Sequence, residues 1–369
     1  MKTVRRLFYA DIVSSVAFVA AAFLSLFFFI DFIDQLGSVG QGAYTVLHAA
    51  LYCLLLAPSR FYEVAPIAVL IGAIYTLSRM AQASEYTILR TGGLGPGRAL
   101  SLLASLGLMF GVLTFLVGDY LAPLSERQAV QLQAAYKGSM RFGKAGAWLK
   151  DRAVTAEGER TYSINVGSTA AGGVLRDVRI FEFDADGRLL RRVGAGSAQV
   201  EPKQEWLLKD VTVTRWVTDA TGATQVTVEN LPKLGWHSGL SAAVVAASVS
   251  PASTMSTIDL ARYIQHLADN EQAAQTYQIE FWKRALYPFA CLVMVGLALP
   301  FAYMHARAGG VSLKVFGGIM LGISFVLLNN VAFHLGILRD WTPWMVAAAP
   351  SALYLMLSLA AFSWLVRYR

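Results

Sequence analysis

Basic side chains beside long apolar stretches are the residues of this sequence best suited to chemistry. Arg60 stands three positions before Glu63, and Lys283 and Arg284 directly precede another apolar stretch. An arginine fork matches the oxygens of a phosphate group, so these positions predict contacts with an anionic lipid. The alternative for each residue is extension of its charged end to ordinary membrane head groups.

Polar groups within the apolar stretches are a second kind of candidate. Asn330 follows Asn329 within the apolar stretch Val315–Leu338. Polar side chains at membrane depth face protein or a cavity. Asn330 is therefore either a cavity-facing residue or a partner for a neighbouring helix. Cys53 and Cys291 also fall in apolar stretches, where a thiol acts as a small hydrophobe.

Motifs for hydrolysis or metal binding are missing from the sequence. No H-E-x-x-H, nucleophile elbow or paired-cysteine motif occurs, and the five histidines are scattered. The segment Gly138–Ala145 has the spacing of a phosphate-binding loop, but Ala145 has no hydroxyl for Mg²⁺. We interpret this match as a coincidence and predict that the chain neither hydrolyses ATP nor holds a metal.

Membrane-spanning helices must position these residues. Of the 369 residues, 56% are hydrophobic and 15% are charged, whereas soluble chains carry about 25% charged residues. A helix needs roughly 20 apolar residues to cross the hydrocarbon, where the backbone must satisfy its own hydrogen bonds. Six stretches meet this length: Ile12–Ile30, Ser59–Ser78, Ala99–Gly118, Ala285–Ala306, Val315–Leu338 and Trp341–Val366.

The segment Ala43–Ala57 is apolar but short. As a helix it would cover only about 22 Å, too little to span a membrane. Pro58 follows it, and proline is a favoured first residue of a helix. We therefore predict an interfacial or partly buried helix over Ala43–Ala57 and a new membrane helix after it.

Positive charge in the short connections predicts the orientation. Ten of the 31 lysines and arginines lie at the two termini, between residues 79 and 98, and in the loop that holds Arg307 and Lys314. The positive-inside rule places these segments in the cytoplasm, together with both termini. The net charge of +7 thus reports topology rather than a nucleic-acid partner.

A polar block between the third and fourth membrane helices predicts β structure. Short segments with strand composition alternate with turn signals such as Asp184–Gly187, which is typical of a sandwich or jelly roll. Ser256 resembles the capping residue of a helix that runs to about Asn270. The predicted fold class is an α-helical membrane protein with six transmembrane helices and an inserted β-jellyroll domain outside the cytoplasm. Its parts are residues 1–122, 123–276 and 277–369.

Two further patterns bear on partners. A short helix is predicted near residues 81–93, ended by Gly92-Gly93, and Ser84, Glu85 and Arg90 lie on it. This helix is either a coupling element for a partner protein or a simple solvated connector. The glycine pairs Gly107-x3-Gly111 and Gly318-x3-Gly322 permit close helix contact, either within the chain or against another subunit.

Several of these motifs, in this order, resemble the lipopolysaccharide export permeases of the LptF/LptG family, also called YjgP/YjgQ. The layout of three spans, a β domain and three spans also matches, so the resemblance covers essentially the whole chain. The matching segments are Phe32-Ile33-Asp34-Gln35-Leu36, Gly40-Gln41-Gly42-x-Tyr44, Ala81-Gln82-x-Ser84-Glu85 and Gly118-Asp119-Tyr120-Leu121-Ala122-Pro123.

The resemblance implies a non-catalytic subunit of an ABC transporter in the bacterial inner membrane. Two paralogous permeases, LptF and LptG, would pair and bind a cytoplasmic LptB ATPase dimer, which would hold the ATP and Mg²⁺. LptC would add a helix beside the first span. Lipopolysaccharide would enter a cavity between the permeases and pass through periplasmic jelly rolls to LptA and the outer membrane.

The resemblance also assigns residues to roles. The helix near 81–93 would dock on LptB, with Glu85 as the main contact beside Ser84 and Arg90, and the first and fifth spans would form lateral gates. The family has a basic residue just before the motif that contains Asp34. Here Asp31 holds that position, so contact with lipid phosphates would fall on Arg60 or on a cation shared with Asp31. The complete set of predicted lipid contacts is Arg60, Asp31, Asp34, Lys283, Arg284 and Asn330.

Three alternatives remain open at this stage. The Asp34-Gln35 and Gly40-Gln41-Gly42 pattern favours the LptG branch, and LptF is the alternative within the family. A membrane-anchored scaffold whose β domain binds a periplasmic protein would tolerate substitution of Glu85. An ion-coupled transporter is disfavoured because the acidic residues of the membrane helices lie near helix ends.

Overall fold

The computed structural model divides into two compact units, and each is described by itself. The first unit comprises Met1–Asp34, Cys53–Glu126 and Gln275–Arg369, and the second comprises Gln35–Tyr52 and Arg127–Ala274. The structure describes residues 2–93, 95–137, 140–141, 146–155, 158–169, 174–200, 205–218, 224–238, 240, 244–245, 252–270, 272–303 and 310–367. Arg307 and most of Gly138–Ala145 therefore lie outside the described residues.

The described chain contains nine α-helices of seven or more residues. Six stretches among them are long and apolar enough to cross a membrane: α1, α2, α4 together with α5, α7, α8 and α9. This confirms the prediction of six transmembrane helices. Their bounds are α1 Lys2–Leu36, α2 Val46–Gln82, α3 Glu85–Thr91, α4 Pro96–Leu116, α5 Ala122–Lys137, α6 Thr257–Asp269, α7 Gln275–Tyr303, α8 Val311–Leu338 and α9 Pro343–Arg367. A π-helical turn, Val117–Leu121, joins α4 to α5.

Helix α2 begins earlier than the sequence predicts. It runs without a break from Val46 to Gln82, with Pro58 and Pro66 inside it. The separate helix predicted over Ala43–Ala57 is therefore wrong. A proline removes one backbone donor, and in membrane helices neighbouring groups commonly satisfy the freed carbonyl, so the apolar run continues as helix.

The glycine pairs bring helices of the first unit into close contact. A Cβ atom on Gly111 would lie 2.7 Å from the carbonyl oxygen of Pro288, and one on Gly107 would lie 2.9 Å from the Cα of Leu292. Helix α4 therefore packs against the backbone of α7. The second pair contacts side chains of α2, Gly318 against Ile74 and Gly322 against Ile67. Both pairs thus serve packing within the chain.

The second unit contains a seven-stranded antiparallel sheet. Its strands are β1 Met140–Arg141, β2 Ala147–Thr155, β3 Gly158–Thr169, β4 Leu175–Phe183, β5 Leu189–Val200, β6 Glu205–Thr218 and β7 Thr224–His237. The prediction of an inserted β domain is confirmed. From β2 to β7 each strand pairs with the next in a meander, and this order is the detail that strand composition does not specify.

The local signals of the β domain fold as the sequence indicates. The carboxylate of Asp184 accepts bonds from the backbone N–H of Asp186 at 3.0 Å and of Arg188 at 2.8 Å, which closes the predicted turn. The hydroxyl of Ser256 accepts a bond from the N–H of Asp259 at 3.1 Å, so it caps α6 as predicted.

The connection between α1 and α2 belongs to the second unit, which the predicted domain boundaries do not anticipate. Tyr44 is buried there. The N–H of Ala43 donates to the carbonyl of Tyr136 in α5 at 3.0 Å, and the rings of His48 and Tyr136 stack with centroids 3.8 Å apart. The glycine-rich motif around Gly40 therefore shapes a turn that packs against α5.

Candidate functional site

An ion pair between α1 and α2 forms the first part of the candidate site. The Nε of Arg60 donates to Oδ2 of Asp31 at 2.9 Å, and its Nη2 donates to Oδ1 at 2.7 Å. The Asp31 side chain is 12% exposed and that of Arg60 is 31% exposed. A two-pronged bond of this kind fixes geometry as well as charge. It therefore ties the end of α1 to α2.

A second carboxylate completes the surroundings of Arg60. Its Nη1 donates to Oε2 of Glu63 at 3.1 Å, and its guanidinium lies 5.4 Å from the ring centroid of Phe27. One positive charge is thus shared between two negative charges. The sequence suggests a cation bound at Asp31, but in the structure the guanidinium of Arg60 occupies that carboxylate. The described residues hold no cluster of metal-binding side chains.

The other predicted lipid contacts lie in different surroundings. Asp34 and Asn330 are exposed, and the Nδ1 of His334 lies 2.7 Å from the backbone oxygen of Asn330. Lys283 donates to Oε2 of the buried Glu280 at 3.3 Å. The structure therefore brings Asp31 and Arg60 together and places the remaining candidates apart from that pair.

Arg284 differs from the lipid-facing residue that the sequence suggests. Its side chain is buried, and its Nη1 donates to the backbone carbonyl of Gly118 at 3.1 Å. Its guanidinium also lies 5.7 Å from the ring centroid of Tyr62. Lipid binding by Arg284 stays a prediction, while the structure gives this charge an internal acceptor.

Helix α3 forms the second part of the candidate site. Ser84 precedes it with φ at 61°, a left-handed conformation that is uncommon outside glycine and marks a sharp entry into the helix. At the other end, the N–H of Gly92 donates to the carbonyl of Ile88 at 2.9 Å. The structure has a short helix here, but it is narrower than the predicted range 81–93, because Ala81 and Gln82 end α2. Ser84 and Glu85 are both exposed at its start.

One side chain anchors α3 to the membrane helices. Tyr86 is 2% exposed, and its ring meets that of Tyr303, the last residue of α7, edge to face with centroids 5.2 Å apart. Burial, with Tyr303 as a second cause, raises the pKa of Tyr86 well above its usual range. The hydroxyl therefore stays neutral at any physiological pH, as a packed position requires.

Arg90 is exposed, and its guanidinium contacts the same anchor. Its guanidinium lies 5.6 Å from the ring centroid of Tyr303, a cation–π distance. Tyr86 and Arg90 are four positions apart, so they share one face of the helix. This spacing is the sequence signal that identifies Tyr86 as a packed residue. Tyr86 is not among the predicted site residues. Glu85 and Ile88 are exposed to solvent, Ile88 by 67%.

Comparison with known proteins identifies the family. The family model described as lipopolysaccharide export system permease LptF/LptG matches residues 6–365. The chain belongs to the LptF/LptG family. Among its relatives, the lipopolysaccharide export system permease protein LptG of Escherichia coli K12 is 28% identical over 339 residues, 91% of each chain. LptG of Haemophilus influenzae is 24% identical over 331 residues, 89% of each chain.

Membership of the LptF/LptG family agrees with the resemblance found in the sequence. The match extends across the six apolar helices and the inserted β domain. Both relatives carry the name LptG, the branch that the Asp34-Gln35 pattern favours. The chain is therefore a multi-pass membrane protein of the lipopolysaccharide export permeases.

Proposed function

We propose that this chain is an LptG-type permease subunit that extracts lipopolysaccharide from the bacterial inner membrane and passes it toward the outer membrane. The family match over residues 6–365 carries the proposal, because it includes both the membrane helices and the β domain. The relative from Escherichia coli is a lipopolysaccharide export system permease by name. The chain itself is non-catalytic in this proposal.

The proposed partners follow from the same family. An LptF paralogue pairs with this chain in the membrane, and an LptB dimer binds ATP and Mg²⁺ on the cytoplasmic side. LptC adds a helix beside α1, and the lipid passes through the periplasmic jelly rolls to LptA. Both termini are cytoplasmic and the β domain is periplasmic. The distribution of positive charge in the short connections supports this orientation.

Helix α3 is the proposed contact with the ATPase. Its exposed face carries an acidic residue, Glu85, and an apolar one, Ile88, whereas Tyr86 holds the opposite face against the membrane helices. A partner that packs on this face would bury Ile88, and Glu85 beside it would supply a charge for the polar rim of the contact. Glu85 is therefore the residue whose replacement should separate the ATPase from the permease.

Replacement of Glu85 by lysine tests this proposal. We expect the Glu85→Lys complex to retain little ATPase on co-purification and to lose lipid-stimulated ATP hydrolysis, because the charge at the contact is reversed. Thr87→Lys, which adds the same side chain at another exposed position of α3, should leave both unchanged. A fully active Glu85→Lys complex would favour the scaffold hypothesis instead. Normal lipid transport by a complex without this chain would refute the proposed function.

Arg60 is the proposed contact with lipid phosphate. In the structure its charge is held by Asp31 and Glu63, so a phosphate group must compete with these carboxylates. A phosphate offers the guanidinium the same two-oxygen geometry with more negative charge. We propose that Arg60 exchanges Asp31 for phosphate when lipid binds, which frees α1 from α2 at this point.

Charge changes at this pair are expected to act in opposite directions. Arg60→Ala and Arg60→Glu should lower photo-crosslinking of lipopolysaccharide to α2 several-fold, because they leave unbalanced carboxylates. Asp31→Asn should raise crosslinking, because it releases the guanidinium from a competing charge. The double variant Asp31→Arg/Arg60→Asp keeps the pair and serves as the control for folding. Unchanged crosslinking and transport in both Arg60 variants would contradict this role.

A further inference from the structure

The π-helical turn between α4 and α5 contains a backbone carbonyl whose expected donor is a proline. In a π-helix each N–H bonds to the carbonyl five residues earlier, as Ala122 does to Val117. The next bond of this pattern would run from residue 123 to Gly118. Residue 123 is proline, which has no N–H, so this bond cannot form.

Arg284 of α7 supplies a donor at this place. Its Nη1 lies 3.1 Å from the carbonyl oxygen of Gly118, and its side chain is only 5% exposed. A hydrogen bond from a charged donor is stronger than a neutral one. Gly118 and Arg284 are both buried, so water has little access to this carbonyl and a side-chain donor has a large effect there.

Two tyrosines enclose the same point. A Cβ atom on Gly118 would overlap the ring of Tyr62, so only glycine lets α2 approach the turn so closely. The ring of Tyr62 stacks on that of Tyr287 with centroids 4.1 Å apart, and the Tyr287 hydroxyl donates to the carbonyl of Tyr62. Arg284 therefore lies in a packed junction of α2, α7 and the π-helical turn.

We propose that Arg284 is a positioning residue that replaces the N–H missing from Pro123. By bonding the Gly118 carbonyl it holds the π-helical turn through which the third membrane helix continues into α5. This assigns a role to the segment Gly118–Pro123, which the family resemblance singles out but the proposed function does not use. The hydrogen-bond argument is independent of the proposed function, and only its consequence for lipid release rests on it.

A double-mutant cycle between positions 284 and 123 tests the proposal. Arg284→Met removes the donor at similar side-chain length, and Pro123→Ala restores a backbone N–H to the turn. We expect Arg284→Met to lower the melting temperature of the full-length protein strongly. In the Pro123→Ala background the same substitution should lower the melting temperature by roughly half as much or less, because the two donors serve one carbonyl. Arg284→Met alone should also lower lipid release by the reconstituted complex, and the double variant with Pro123→Ala should recover it.

The outcomes are distinguishable. An equal loss of melting temperature in both backgrounds, or failure of both Arg284→Met proteins to fold, would overturn the proposal, since the restored N–H should recover stability. Recovery of stability without recovery of lipid release would overturn the consequence for lipid release. Pro123→Ala restores the hydrogen bond but not the positive charge, so Arg284 would then act on lipid directly. If wild-type protein releases no lipid, the proposed function fails while the stability cycle still stands.

Discussion

Replacing Tyr86 by alanine should lower the lipid released per ATP hydrolysed several-fold while leaving the ATPase bound. Tyr86 is the buried side chain that connects α3 to Tyr303 at the end of α7, and it does not share the exposed face of Glu85. Truncation of a buried aromatic costs roughly 3 to 5 kcal/mol, enough to release a seven-residue helix from its support. Movement of the ATPase would then reach α3 without reaching α7.

The measurement is the ratio of lipid release to ATP hydrolysis in reconstituted complexes. Tyr86→Phe is the matched control, since it keeps the ring against Tyr303 and should keep the wild-type ratio. Ile88→Ala removes an exposed side chain of the same helix and should weaken ATPase binding instead. A wild-type ratio in Tyr86→Ala would show that α3 needs no anchor at Tyr303. Absence of ATPase from the wild-type complex would refute only the proposed function.

Replacing Gly111 by alanine should destabilise the first unit by about 1 to 3 kcal/mol, the usual cost of an overpacked core. The new Cβ would lie 2.7 Å from the carbonyl oxygen and 3.1 Å from the Cα of Pro288. These are backbone atoms, so no rotamer change can relieve the overlap. Helices α4 and α7 must move apart, and the gain of about 1 kcal/mol in helix propensity cannot offset this.

Gly317→Ala is the matched control for this prediction. Gly317 also lies inside a membrane helix, but among the described residues no atom beyond its chain neighbours and its own helix backbone lies within 4 Å of a Cβ built on it. This variant should be neutral or slightly stabilising in thermal unfolding followed by tryptophan fluorescence in the same detergent. If Gly111→Ala matched Gly317→Ala, the close contact of α4 with α7 would not matter for stability.

The architecture was predictable because it depends on composition over long windows. Each membrane helix needs only a sufficient apolar length, and each strand needs only alternating side chains between turn residues. The first residue of α2 was not predictable, because Pro58 is compatible with both a start and an interior position in a membrane helix. The pairing order of strands was also beyond reach, since it depends on contacts distant in sequence.

The candidate site was predictable in its residues but not in its pairs. Arg60, Asp31 and Arg284 were all identified from the sequence, yet their partners depend on how α1, α2, α4 and α7 are rotated against one another. Asp31 and Arg60 are 29 positions apart, and Arg284 and Gly118 are 166 apart. Local rules reach only pairs on a single helix. Arg60 and Glu63 are three positions apart, and Tyr86 and Arg90 share a helix face at a spacing of four.

The bond between Asp31 and Arg60 also limits how this protein can evolve. A lone change of Asp31 to lysine would place two positive charges within a few ångströms in a half-buried setting, a step that costs stability before any benefit to lipid binding appears. Lineages that carry a basic residue at this position of α1 should therefore have changed the residue at position 60 as well. The two positions should vary together, with opposite signs of charge.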